Sequence, residues 1–106
     1  MNLPKRVKRF VVIYDVACDG KEGWHSCSYK RRNKIARVLL EIGIRTQKSV
    51  YEITADTAKL EKALRRIEKI AKLEKDKIYV YPIESKVVEK ITRIGNEPEI
   101  MKILFI

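Results

Sequence analysis

Few side chains in this sequence are of the types that do chemistry, and their spacing narrows what that chemistry is. Asp15 stands near the end of the apolar run Phe10–Val16 (FVVIYDV). A lone carboxylate there has two readings: it bonds the amides of the following loop, or it helps to hold a divalent cation. Mg2+ typically takes one or two carboxylates and fills its other positions with water and phosphate oxygens, so two copies of Asp15 meeting across a two-fold axis would suit it. An ion held in that way activates water and steadies the leaving oxygen in phosphodiester cleavage.

The second feature is a basic cluster, Lys30, Arg31, Arg32, Lys34 and Arg37. It opens a predicted helix, the end at which the helix dipole disfavours cations, so local helix stability does not account for it. An incoming phosphate would meet both these side chains and the free amides of the first turn. A plain solvated face is the competing reading. Tyr14 and Tyr51 are aromatic and able to stack on unpaired bases; such rings more often pack at a core or a dimer interface, and interface packing is the first expectation. Trp24 lies in a loop, where it is the aromatic most free to meet a partner.

Cys18, His25 and Cys27 are too few and too oddly spaced for structural zinc, which wants four ligands. Two free thiols in a reducing cytoplasm are expected instead. A single histidine excludes a Ser-His-Asp or Cys-His arrangement, and four glycines hold no phosphate-binding motif.

The elements that must position these residues follow from periodicity. Phe10–Val16 lacks alternation, so it reads as a strand covered on both faces or central in its sheet. Ala17–Tyr29, rich in Gly, Ser and Cys, reads as a loop. Ile35, Val38, Leu39 and Ile42 form one apolar helical stripe, stopped by Gly43. Ile44–Thr54 is β-rich, and periodicity leaves open whether it is one strand or a hairpin turning at Lys48-Ser49. Asp56 offers an N-cap to a second helix striped by Leu60, Ala63, Leu64, Ile67, Ile70 and Ala71. Lys77–Ile83 is a further strand, with Pro82 placing its end at an edge. Val87, Ile91 and Ile94 fit either a short helix or a strand. Ile100–Ile106 (IMKILFI) is a β-prone terminal segment that would be an aggregation hazard unless paired, for instance with a second copy of the chain.

The order β-α-β(β)-α-β is that of an α+β, ferredoxin-like split βαβ. At 106 residues and 12.4 kDa there is room for one domain. No apolar run approaches the roughly 20 residues of a spanning helix, and the start MNLPKRVKRF lacks a cleavage site for secretion. A cytoplasmic protein with no membrane partner is therefore expected. Charge is directed: residues 1–50 hold 12 basic and 4 acidic groups, residues 51–106 hold 12 and 10. The excess in the first half favours a polyanion, most often nucleic acid.

Tyr14-Asp15-Val16, the basic helix start at Lys30–Lys34 and Gln47-Lys48-Ser49-Val50-Tyr51-Glu52 resemble the Cas-two family of small CRISPR-associated proteins. The strand ending at Tyr81-Pro82 and the Ile94-Gly95 tail extend the likeness over essentially the whole chain. The resemblance implies a ferredoxin-like βαββαβ domain over residues 1–83. It implies a C-terminal extension, 84–106, whose strand crosses to the partner's sheet in a homodimer with facing sheets. It also implies binding of RNA or DNA, metal-dependent endonuclease activity in some members, and a bridging role for the Cas-one integrase in spacer acquisition. Asp15 becomes the catalytic and metal-holding residue, Mg2+ or another divalent cation the cofactor. Arg32, Lys34 and Arg45 lie near positions linked to nucleic-acid binding or cleavage. Segment 17–29 is longer than the family's usual short connection. Other classes are a non-enzymatic RNA-binding module, weakened by the lack of aromatic RNP signatures, and a toxin-type endoribonuclease. A small-molecule regulatory dimer is disfavoured by the net charge of +10.

Overall fold

The computed structural model describes residues 7–17 and 28–96. They form β1 (Val7–Asp15), α1 (Ser28–Leu40), β2 (Gly43–Gln47), β3 (Val50–Asp56), α2 (Thr57–Ile70), β4 (Lys77–Ile83) and a one-turn helix α3 (Ser85–Val88). The four strands make one antiparallel sheet in the order β2-β3-β1-β4, the ferredoxin-like arrangement.

β1 is central, as its apolar run requires, but only one of its faces is covered by the helices. Phe10, Val12 and Tyr14 are buried with Tyr51, Ile53 and Ala55 of β3, Ile35, Val38 and Leu39 of α1, and Leu60, Ala63 and Ile67 of α2. Val11 and Ile13 point the other way. Ile13 is 40% exposed, and the residues paired with these two across β4, Tyr81 and Tyr79, are 48% and 56% exposed. The continuous apolar run of β1 therefore serves one core and one open sheet face.

The hairpin alternative holds for 44–54. β2 and β3 reverse over Lys48 and Ser49, although neither residue is Gly or Asn. The pairing slips by one residue between Arg45 (opposite Tyr51) and Gln47 (opposite Val50), and the Thr46 hydroxyl donates to Val50 C=O across the irregularity. A bulge thus accompanies the reversal, and no described non-glycine residue takes a positive φ. Gly43 does not cap α1 in the left-handed conformation. It opens β2, where a Cβ would sit 2.3 Å from Ile53 Cδ1 and 2.5 Å from the Glu52 carbonyl oxygen. Close strand approach, not helix termination, demands a glycine there.

Asp56 caps α2 as its sequence position predicts, its carboxylate accepting the Lys59 N–H at 2.7 Å. Pro82 lies in β4, which among the described residues pairs only with β1 and so stands at the edge of the described sheet. Beyond it, Val87 and Val88 belong to α3, while Ile91 and Ile94 lie in neither helix nor strand. Val88 and Ile91 instead pack against Arg9, Val11, Glu52 and Ile83 on the open face of the chain's own sheet. Arg93 seals this with a two-pronged bond to Glu52, 2.9 Å at Nη1–Oε2. The terminal segment Ile100–Ile106 lies outside the described residues.

Candidate nucleic-acid and metal site

The strand polarity gathers the predicted site residues at one end of the sheet and then divides them between its two faces. β1 ends there at Asp15, α1 begins nearby, β2 turns into β3 at Lys48-Ser49, and β4 starts at Lys77. Tyr14 N–H donates to the Ser49 carbonyl at 3.1 Å, joining the end of β1 to the hairpin turn.

Asp15 follows Val11 and Ile13 on the open face, opposite Lys77 of β4, and is exposed. Its carboxylate therefore borders the uncovered apolar patch of Ile13, Tyr79 and Tyr81. The two tyrosines meet edge to face with ring centroids 6.4 Å apart. Among the described residues no three His, Cys, Asp or Glu side chains come together as a metal site. Asp15 is the predicted metal-holding carboxylate that the described residues place at this end of the open face. Cys18, Asp19, Trp24, His25 and Cys27 lie outside the described residues.

Tyr14 and Tyr51 belong to the other face. Their rings stack at 5.9 Å with an interplanar angle of 21°, and both are buried in the core beneath the helices. This corrects the two readings of them as base-stacking platforms or dimer-interface residues: no base reaches these rings, and they point away from the open sheet face. Burial first, and then the adjacent Tyr51 hydroxyl, push the Tyr14 phenol up to about 12, against a smaller opposing pull from Arg45 and Arg32. At neutral pH Tyr14 stays protonated and is no base.

Arg32 of α1 and Arg45 of β2 are thus both within electrostatic reach of the Tyr14 hydroxyl. Arg45 faces Tyr51 across the β2–β3 ladder and is exposed, while Arg32 is half-buried. Lys30, Lys34 and Arg37 recur at helical spacing and are exposed, so they share one side of α1. Lys30, Arg32, Lys34 and Arg45 line the helix-layer side of the sheet end, and Asp15 lies on its open side; Arg37 is corrected here, because it stands in the last turn of α1, at the far end of the helix from its start.

Arg31 departs from the cluster and is corrected here. It is buried, and its guanidinium is spent inside the protein. Nε donates to Asp76 Oδ2 at 3.0 Å and Nη2 to Asp76 Oδ1 at 3.1 Å, with a further bond from Nη2 to the Ala17 carbonyl at 2.6 Å. Burial alone would raise the Asp76 carboxyl, but Arg31 and the amides of Lys72 and Ala17 outweigh it and hold the carboxyl below its usual range. The signal was present in the sequence. Arg31 sits four residues before Ile35 and seven before Val38, on the buried stripe of α1, and not on the side of Lys30 and Lys34. Nothing local marks Asp76, whose partner is 45 residues away.

Comparison with known proteins matches the sequence to one family. Residues 8–91 match the family described as CRISPR associated protein Cas2. The chain is 30% identical over 89 residues to the CRISPR-associated endoribonuclease Cas2 3 of Synechocystis sp., covering 84% of this chain and 86% of that one. It is likewise 30% identical over 94 residues to the CRISPR-associated endonuclease Cas2 2 of Thermus thermophilus, covering 89% and 91%. Among solved structures, Streptococcus pyogenes Cas2 superposes with a TM-score of 0.71 at 23% identity, over 82% of this chain and 99% of that one. The hypothetical protein TT1823 from Thermus thermophilus superposes with a TM-score of 0.68 at 28% identity, over 87% and 95%. No helix among the described residues is long and apolar enough to cross a membrane. The chain therefore belongs to the Cas2 family of CRISPR-associated proteins.

Proposed function

We propose that this chain acts in the cytoplasm as a homodimeric, metal-dependent endonuclease on RNA or DNA. Its two copies of Asp15 meet across the dimer axis. The observation that carries this reading is the position of Asp15 on the uncovered apolar face, beside Ile13 and Tyr79. A partner laid on that face buries exposed aromatic and aliphatic surface and brings a second carboxylate to the first. Val88, Ile91 and Arg93 lie against the far half of the same face, so the half next to Asp15 is the part we assign to a partner.

The two Asp15 carboxylates would hold Mg2+ or another divalent cation, which when bound would supply an activated water and a counter-charge for the leaving oxygen. Lys30, Arg32, Lys34 and Arg45 hold the phosphate backbone, largely without regard to sequence. The edge of β4 that no described strand pairs adjoins a groove whose apolar lining is Leu64, Ile67, Leu73, Ile78 and Val80, with Glu68, Asp76 and Lys77 also on its wall. We place the partner's tail, Ile100–Ile106, along that edge. The same dimer has the symmetry to bridge two copies of the Cas-one integrase during spacer acquisition.

The test is Asp15→Asn. Divalent-dependent cleavage is lost, while the dimer and duplex binding persist, because affinity comes from many Lys and Arg contacts and not from the carboxylate. Full metal-dependent cleavage in Asp15→Asn refutes the assignment and makes Asp19 the next carboxylate to test. Absence of cleavage in the wild type, with binding intact, favours the bridging role over the enzyme.

A further inference from the structure

Ala17 lies two residues beyond Asp15, and one ion pair holds both of its backbone polar groups. Its N–H donates to Asp76 Oδ1 at 3.0 Å, and its carbonyl accepts from Arg31 Nη2 at 2.6 Å. Asp76 Oδ2 also accepts the Lys72 N–H at 2.9 Å, and the Asp76 N–H returns to the Lys72 carbonyl at 2.7 Å. Three segments distant in sequence thus converge on two side chains that are 10% (Arg31) and 0% (Asp76) exposed: the exit of β1, the first turn of α1 and the approach to β4.

A buried ion pair is a weak device for stability alone, since apolar side chains of similar volume commonly serve as well. This pair does what they do not: its directional bonds fix the end of β1 relative to α1. Asp15 precedes the gripped residue by two positions. Lys77, which pairs with Asp15 across the ladder, directly follows Asp76, and Arg32 directly follows Arg31. Each of these three charged groups is therefore one or two residues from the clamp.

We infer that Arg31 and Asp76 are positioning residues, which set the Asp15 carboxylate relative to the phosphate-binding start of α1 by holding Ala17 between them. The inference rests on the reading of Asp15 as the metal-holding carboxylate. Displacing a reacting group by about 1 Å costs on the order of a hundredfold in rate, and loss of an outer partner of a metal ligand costs about 10- to 100-fold.

The experiment uses the full-length dimer and three variants, Asp76→Asn, Arg31→Lys and Asp15→Asn. Mn2+ alone is titrated by electron paramagnetic resonance, and kcat and KM are measured on a single-stranded RNA and a DNA duplex. In Asp76→Asn, Mn2+ affinity and kcat should each fall about 10- to 100-fold, with KM and the salt dependence of binding unchanged. Arg31→Lys should fall in the same direction, because an ammonium cannot reproduce the fork that reaches Asp76 and Ala17 together. It also serves as the milder variant should Asp76→Asn not fold. A purely structural role lowers the melting temperature and the active fraction but leaves the Mn2+ Kd of the folded dimer unchanged, and that result overturns the inference. Retained Mn2+ affinity in Asp15→Asn instead removes the underlying reading of Asp15, and the inference falls with it. Loss in Asp15→Asn without loss in a folded clamp variant overturns the clamp inference alone.

Discussion

Replacing Asp76 by Ala should be among the most damaging single changes available to this protein, and its effect should fade in acid. The substitution removes a carboxylate with no exposed side-chain surface and leaves the Arg31 guanidinium buried without its counter-charge. The amide donors of Ala17 and Lys72 lose their acceptor at the same time. Breaking one side of a buried pair costs about 3–5 kcal/mol, a large part of the roughly 5–15 kcal/mol that holds a domain folded. At about 4–8 °C per kcal/mol for a chain of this size, the melting temperature should drop on the order of 20 °C. Melting is followed by circular dichroism at one fixed protomer concentration, because association and folding are linked. The exposed pair of Arg66 and Glu41 is the internal control, and Glu41→Ala should scarcely move the transition. The pH dependence carries the sign. The Asp76 carboxyl is held below its usual range in the folded state, so its contribution is complete above the unfolded value near pH 4. It is lost as pH falls through the folded value. The gap between wild type and Asp76→Ala should therefore be widest near neutrality and narrow below about pH 4. A drop of only a few degrees at pH 7, or an equal gap at pH 7 and pH 3, would refute the reasoning.

Three further outcomes follow from the packing and the charge. Gly43→Ala drives a Cβ into the Glu52 carbonyl and the Ile53 side chain, and should destabilise by about 1–3 kcal/mol in urea titrations, whereas an unchanged midpoint would show that β2 shifts freely. Tyr81→Glu places a charge in the exposed apolar face and should convert the proposed dimer to monomer in sedimentation without unfolding it; a dimer of unaltered affinity would place the interface elsewhere. Arg32→Ala with Lys34→Ala should weaken duplex binding equally for all sequences and lower the slope of log affinity against log salt by about one per lost contact, while an unchanged slope would return these residues to a solvated face.

Local patterns in the sequence specified most of the architecture because their physics is local. The stripe Ile35, Val38, Leu39 and Ile42, the Asp56 cap and the proline at an edge strand each state a helix face, a helix start or a strand position within a few residues. The YDV and QKSVYE segments likewise carried the family. Tertiary structure decided the rest. A run as uniformly apolar as FVVIYDV does not say which of its faces the helices cover. Only the sheet put Tyr14 in the core and Asp15 on the open side, one residue apart and facing opposite ways. Arg31 falls on the apolar stripe of α1 by spacing, but only the fold brings Asp76, 45 residues on, beside it. Residue type and spacing determine which groups can act. The helical stripe marks Arg31 as facing inward, but its carboxylate partner Asp76 and the Ala17 backbone that the pair holds come from contacts across the chain that no local pattern encodes.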